Sequence, residues 1–375
     1  KDQVFLRWNR ALTGTDNPSS LIINQTGSVL ALAAAADNAF SCDTVGNLSI
    51  KNCEALLSLY NATDGDHWTR SRGWFYDNDA CTWDGVKCLS ERSLDLRSNG
   101  LKGNLPTQFY LLSNFPHIDL GENQLGPTLS ENFVKIPRLR TLRLDHNRFS
   151  GTVPTRIKNL QYLSTLDLSY NQLTGPLPLT DSDWPVLNYL NLAGNQFTGG
   201  IPSDINDHAP TLIELDISYN RLTGPIPNGV TYLEELDRLQ AHHNQLTGSI
   251  PDGFCDGGDA YNLLSYLDLQ SNRLSGPLPD CLAAIELASL RLANNNFSGP
   301  LPNTWDLDED ELVDLDLSNN DFSGEIPKSL AFYFDRSTQV RLDGNRLTAS
   351  NPDTRLLLAW KNPSWVSSQR VPMLQ

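Results

Sequence analysis

The sequence is short of several things, and each shortage removes a class of function. Positive charge is scarce: 28 Lys and Arg against 44 Asp and Glu leave a net charge of −16 and a pI near 4.7. That is the wrong sign for nucleic acid, whose phosphates want a basic stripe. No apolar run is long enough to span a bilayer. The best candidate, Ser28 to Ala36, is too short and has no basic residue directly before it, so it reads as a packed apolar segment rather than a secretion signal. The six histidines, His67, His117, His146, His208, His242 and His243, show no H-E-x-x-H or other metal-ligand spacing. There is no G-x-S-x-G elbow, no phosphate-binding loop, and no cysteine left over from an even set of six to act as a nucleophile. Neither enzymatic chemistry nor a bound cofactor or metal is expected. The acidic run from Asp306 to Glu311 lacks the glycine and the alternation of a calcium loop and reads as a solvated face.

What the chain has in abundance is one phrase. Asn99, Asn123, Asn147, Asn171, Asn195, Asn220, Asn244, Asn272, Asn295, Asn320 and Asn345 stand 23 to 28 residues apart, each closing a form of L-x-L-x-x-N-x-[LF]. Self-similarity at this period marks the coils of a solenoid. In the stretch Ser164 to Pro178, Leu166 and Leu168 alternate with Asp167, which predicts a short strand with its leucines buried and its aspartate in solvent. Asn171 is expected to turn inward, where its amide can satisfy backbone groups left over by a tight coil. Stacked coils would then carry a hydrogen-bonded column of such amides. Gly175 permits a backbone conformation closed to other residues, and Pro178 blocks a continuing helix. No coil buries its leucines alone, so the fold class is an α/β repeat in which each unit needs its neighbours.

The wording Asn-x-Leu-[Ser/Thr]-Gly-x-[Ile/Leu]-Pro recurs almost verbatim at Asn147, Asn171, Asn220, Asn244, Asn272, Asn295 and Asn320. In this the chain resembles the plant-type extracellular leucine-rich repeat proteins, a family that includes receptor-kinase ectodomains, polygalacturonase-inhibiting proteins and protist surface proteins. The resemblance covers about residues 53 to 350. It implies a right-handed leucine-rich-repeat solenoid with a parallel sheet on its concave face, a second, shorter sheet beside it, and a disulfide-bonded amino-terminal cap. The organisation expected is a non-repeat arm over 1–52, a cap over 53–92, eleven repeats over 93–350 and a carboxy-terminal cap or tail over 351–375. In the tail, Leu356, Leu357, Leu358, Trp360 and Trp365 are candidates for a lid.

The form C-x-W-x-G-V-x-C at Cys81 to Cys88 is similar to the family's cap motif. It implies a Cys81–Cys88 bond and leaves Cys42 for Cys53; a Cys53–Cys81 bond, as in some family members, stays open. Trp68, Trp74 and Trp83 are expected to cover the first coil. Cys255 follows Asn244 by eleven residues and Cys281 follows Asn272 by nine. They should lie at similar heights on coils roughly 5 Å apart, within disulfide reach, across the oversized repeat that carries the Asp256–Gly257–Gly258–Asp259 insertion. Sequons at Asn24, Asn47, Asn61 and Asn296, with the cysteines, point to a secreted or cell-surface glycoprotein.

Outward residues of the strands should form columns on the concave face. One column, Asp95, Asp119, Arg143, Asp167, Asn191, Asp216, Gln240, Asp268, Arg291, Asp316 and Arg341, is rich in aspartate but reads as a solvated scaffold, since carboxylates in single file do not wrap a cation. The strip Tyr189, Asn191, Glu214, Arg238, Gln240, His242, His243, Tyr266 and Gln270 carries the residue types that dominate interfaces and is the expected ligand site. Arg143, Asp145, His146 and Tyr170 form a second, smaller candidate. The function expected is non-catalytic recognition of a protein, peptide or glycan. The alternatives are a structural or adhesive component of a surface assembly, joined to other subunits through the arm and tail, and an inhibitor of a wall-degrading enzyme or an ice-binding variant using Ser150, Thr174, Thr198 and their equivalents.

Overall fold

The computed structural model describes residues 40–361, apart from 89–90, 130–132, 134, 180–183, 256–262, 284, 286, 304, 306–311 and 332–338, together with 22–23 and 29–30. The Asn24 sequon, most of the alanine-rich run, the insertion at Asp256, the acidic run at Asp306 and the tail beyond Lys361 lie outside those residues. Two compact units are present, Lys1–Ser41 and Cys42–Gln375. In the first, Ile22–Ile23 pairs antiparallel with Val29–Leu30. In the second unit a disulfide ties Cys42 to Cys53 in the first helix of the cap.

In the second unit each coil supplies a three-residue strand such as Thr165–Asp167, whose central leucine is fully buried. These strands pair in parallel and in register from Ser93–Asp95 to Gln339–Arg341, so that Leu142, Leu166, Leu190 and Leu215 are successive partners. One antiparallel strand, Val86–Lys87, closes the first edge and brings the sheet to twelve. A second, parallel sheet of nine strands runs from Ser150–Thr152 to Arg346–Thr348 on the other side of the asparagine turns. The core between the sheets is a stack of leucines broken by Phe149, Phe197, Phe297 and Phe322, all fully buried. This is the expected solenoid.

The asparagines are its spine, in a form the sequence left partly open. Asn171 Nδ2 donates to the carbonyls of Leu168 and Ser169 in its own coil and of Leu144 in the coil before, at 3.0–3.1 Å. Its Oδ1 accepts the Phe149 N–H at 3.0 Å. Asn195 repeats the arrangement with Leu168, Leu192, Ala193 and Leu173. The amides therefore bond backbone rather than one another, and each joins two coils. The residue before each amide takes the left-handed conformation: Tyr170, Tyr219 and His243 have φ of 50, 51 and 53°.

The cap begins with helix Ile50–Ala62, whose first turn is capped by Ser49 accepting the Asn52 N–H. Cys81 is bonded to Cys88. Trp68, Trp74 and Trp83 are buried, with Trp74 lying 4.9 Å from Trp68 and 5.0 Å from Trp83 between ring centres. Each indole N–H donates to a backbone carbonyl, of Thr63, Asp84 and Asp77 respectively, so the rings are buried in the cap without an unpaired donor. Cys281 is disulfide-bonded; the side chain of its expected partner, Cys255, lies outside the described residues. At the other end, helix Pro352–Lys361 follows the last strand, but Leu356 is 70% exposed and is no lid.

Candidate functional site

The first and third residues of every strand of the long sheet project from its outer face, and the third position corrects the sequence reading. Apart from Asp95 on the first strand, which is exposed, the aspartates there are not solvated. Asp268 and Asp316 are buried, and Asp119, Asp167 and Asp216 are half-buried. The cause is local: the chain turns directly after the strand, and each carboxylate accepts the backbone N–H two residues on. Asp119 takes it from Gly121, Asp167 from Ser169, Asp216 from Ser218, Asp268 from Gln270 and Asp316 from Ser318, at 2.9–3.2 Å. The repeated aspartate is a turn cap, as side-chain oxygens commonly are at such bends. Among the described residues there is no group of three or more His, Cys, Asp or Glu placed to hold a metal ion.

Over the third to sixth strands from Ser93 the face opens into a cleft of about 280 Å³ lined by Arg143, Thr165, Leu166, Asp167, Tyr189, Leu190, Asn191 and Glu214. It joins Tyr189, Asn191 and Glu214 of the larger expected strip to Arg143 of the smaller one. Arg143 reaches one carboxylate, Asp119, at 3.9 Å. Glu214 makes no ion pair among the described residues, although its register partner is Arg238. Tyr189, which stands between the two ends, is exposed. Burial, with Asp145 adding to it, pushes the Asp167 carboxyl above the usual range against the hydrogen bonds from Ser169.

Arg238 turns away from Glu214 because its guanidinium lies over the ring of Tyr266, 4.2 Å from the centroid. No hydrogen-bond or ion-pair partner for it occurs among the described residues, so its donors are held in place and left open. Arg291, missed by the expected strip, flanks the same ring and ties the cluster together: Nη1 donates to the Tyr266 hydroxyl at 3.0 Å and Nε to Asp314 at 2.7 Å. Behind it, burial pushes the Asp268 carboxyl up to about 6, against the Gln270 N–H and Arg291. The folded state therefore holds a proton that an unfolded aspartate, near about 3.9, has released. Stability from this group should fall as pH rises from about 4 to about 6. We expect Asp268→Asn to remove on the order of 3 kcal/mol of that decline in urea titrations at a series of pH values; parallel curves for variant and parent would overturn the assignment.

His242 and His243 face each other with Nδ1 atoms 2.8 Å apart, and Tyr219 stacks on His243 at 4.3 Å between centroids. Burial holds both imidazoles below the usual histidine range; at His242 Asp216 opposes it and Arg291 adds to it, and at His243 the adjacent His242 ring adds to it. Gln240 lies in register between Asp216 and Asp268, and Gln270 sits over Asp268. Tyr219 was not anticipated, although it fills the same slot before the asparagine as Tyr170 and His243.

The smaller candidate is mostly a structural staple. Arg97 crosses the intervening coil above Gly121 and grips Asp145 with both terminal nitrogens, at 2.8 and 2.7 Å, while Glu122 accepts a third bond. Burial alone would raise the Asp145 carboxyl, but the bonds from Arg97 and His146 hold it below the usual range. His146 in turn stacks on Tyr170 at 4.4 Å. Of this group Arg143 alone faces the cleft. The sequon residues Asn47, Asn61 and Asn296 are exposed, Asn47 donating to Asp79.

Comparison with known proteins agrees with the repeat fold. The leucine rich repeat family pattern matches residues 137–197 and, as single repeats, 211–233, 263–285 and 311–332; the leucine rich repeat N-terminal domain matches 53–89. No curated protein sequence matches the chain. Among solved structures, the plant peptide hormone receptor RGFR1 in complex with RGF2 is similar at 30% identity, over 74% of this chain and 43% of that one, with a TM-score of 0.66. The ectodomain of the plant membrane receptor kinase GASSHO1/SCHENGEN3 from Arabidopsis thaliana, in complex with CASPARIAN STRIP INTEGRITY FACTOR 2, is 28% identical over 82% of this chain and 43% of that one, with a TM-score of 0.67. A plant ice-binding protein is 27% identical over 81% of this chain and 97% of that one, with a TM-score of 0.68. The chain thus spans less than half the length of these two receptor structures.

Proposed function

This chain is built of leucine-rich repeats of the plant extracellular type behind a leucine-rich-repeat N-terminal domain, and from that premise we propose that it is an extracellular, non-catalytic recognition module that holds a peptide segment across the outer face of its long sheet. The observation that carries the reading is the set of side chains fixed in place yet left unsatisfied on that face. Arg238 is pinned flat on Tyr266 with its donors open, Glu214 is unpaired among the described residues, and Tyr189 stands exposed over the cleft. Fixed arginines and tyrosines lose little freedom on binding, which is why such residues concentrate affinity at interfaces. The similar receptor structures, solved with RGF2 and with CASPARIAN STRIP INTEGRITY FACTOR 2, support a ligand of peptide type. No helix among the described residues is long and apolar enough to cross a membrane, and the disulfides favour an oxidising compartment.

The similarity to an ice-binding protein is one of fold. On the nine-stranded sheet the hydroxyls of Thr198, Thr223 and Thr348 are turned onto the carbonyls of Gly175, Gly199 and Gly324. Arg221, Arg273, Asp321 and Arg346 stand among them, which spoils a regular hydroxyl lattice. To test the peptide reading, the immobilised protein is panned against random dodecapeptides. Retained peptides should bind Tyr189→Ala and Arg238→Ala about tenfold more weakly, roughly 1.4 kcal/mol each. Retention of no peptide by the parent, or equal retention by both variants, would overturn it.

A further inference from the structure

The cleft has two unlike ends. Arg143, half-exposed, stands at the end nearer the cap; its one ion pair among the described residues, to Asp119, is 3.9 Å long, and Asp167, its register partner on the next strand, spends its carboxylate on the N–H and hydroxyl of Ser169. Asp119 is already engaged by the Gly121 N–H at 2.9 Å and lies 3.5 Å from Arg97. Glu214 stands at the far end. Its natural partner would be Arg238, one strand over in direct register, but Arg238 is committed to the Tyr266 ring. The cation and the carboxylate are thus left facing one cleft from opposite ends, with Thr165, Tyr189 and Asn191 between them and with Asp167, whose carboxylate is taken up by Ser169.

The register fixes their separation. Arg143 pairs with Asp167 and Asp167 with Asn191, while Tyr189, two residues earlier on the same strand, pairs with Glu214. Three strand spacings of about 4.8 Å across and two residues of about 3.3 Å along place the two Cα atoms roughly 16 Å apart. An extended chain covers that distance, less the reach of the side chains, in about four residues.

Resting on the peptide reading above, we infer that the cleft selects a segment carrying one acidic and one basic side chain four residues apart, the acidic one on Arg143 and the basic one on Glu214. Opposite charges placed at the two ends fix the register of a bound segment and exclude segments charged alike at both positions, the use to which interfacial charge is best suited. Tyr189 supplies a flat surface for whatever lies between.

The test uses four end-capped pentapeptide libraries with the middle three positions randomised: Glu and Lys at the ends, Glu at both, Lys at both, and Gln at both. The intact protein should retain the mixed-charge library at least tenfold over the others. Arg143→Glu makes both ends acidic and should transfer the preference to the Lys-Lys library; Glu214→Arg should transfer it to Glu-Glu. Arg143→Gln and Glu214→Gln, with unchanged thermal midpoints, guard against a misfolded reversal. Retention of the Gln-Gln library as well as the mixed one, a preference that neither reversal moves, or retention of no library overturns the inference. The random dodecapeptides decide the broader reading separately: if they bind and the charged libraries are not distinguished, the face takes peptides but does not read their charge.

Discussion

Replacement of Asn171 by alanine is expected to lower the free energy of unfolding by about 4 kcal/mol, with a matching fall in the denaturation midpoint. The side chain is 8% exposed and its amide makes four bonds, three as donor and one as acceptor. Its loss strands the Phe149 N–H inside the core and leaves the Leu144 carbonyl with one donor, Asn147 Nδ2, in place of two. An orphaned buried group costs about 1–3 kcal/mol, and the leucines packed around this one keep solvent from taking the amide's place. Because the bonds run to the coil before as well as to its own, amide exchange should accelerate in those two coils first, before spreading by neighbour coupling. Loss of less than about 1 kcal/mol, or uniform acceleration along the chain, would show that the leucine stack rather than the amides holds the coils together.

Arg97→Ala is the second large effect, about 2–3 kcal/mol at neutral pH. Removing one partner of a buried ion pair costs about 3–5 kcal/mol, and we discount that because Arg97 is itself about one-third exposed. Asp145, with a side chain 3% exposed, would be left charged beside His146 alone. The pH dependence identifies the cause. In the parent, the Asp145 carboxyl lies below its ordinary range, so its contribution is present above the unfolded value and lost only in stronger acid. Without Arg97, burial dominates and the carboxyl rises, so the deficit should shrink as pH falls from 7 towards 4. Gly121→Ala should reproduce part of the loss, since a methyl group there would intrude on both the guanidinium and the Asp145 carboxylate. A deficit that does not change with pH would reduce Arg97 to a packing role.

Much of the architecture was legible because the repeat leaves few choices. Leucine at alternate positions, an amide at a fixed distance and glycine after it can each face one way, and once one coil is read the register of the rest follows. The misreading of the strand aspartates shows where that logic stops. Alternation predicts which side of a strand a residue faces, whereas the burial of Asp268 depends on the turn that follows and on Arg291 folding over it. The cleft was half visible: Tyr189, Asn191 and Glu214 were marked from their outward positions, and Arg143 separately, but their union joins the third position of one strand to the first position of a strand three further on. That Arg238 prefers Tyr266 to Glu214 is a matter of rotamer, which residue spacing does not carry. Tyr219 and Arg97 left weaker traces: one shares a repeat position with Tyr170 and His243, and the other lies two coils from its partner across a coil that has glycine in the slot.

The left-handed position ahead of each spine amide has a consequence for how such a molecule can change over generations. Ser98, Glu122, His146, Tyr170, Tyr219, His243, Ser271, Asn294 and Asn319 all occupy it with φ between 50 and 56°. The bend is imposed by the turn, and these residues tolerate it whatever side chain they carry, so the strain belongs to the scaffold and not to the choice of residue. Exchanging one for another asks nothing further of the backbone. A lineage could therefore revise this row of letters beside the cleft, one mutation at a time, while the spine that spells out the fold stays as it is.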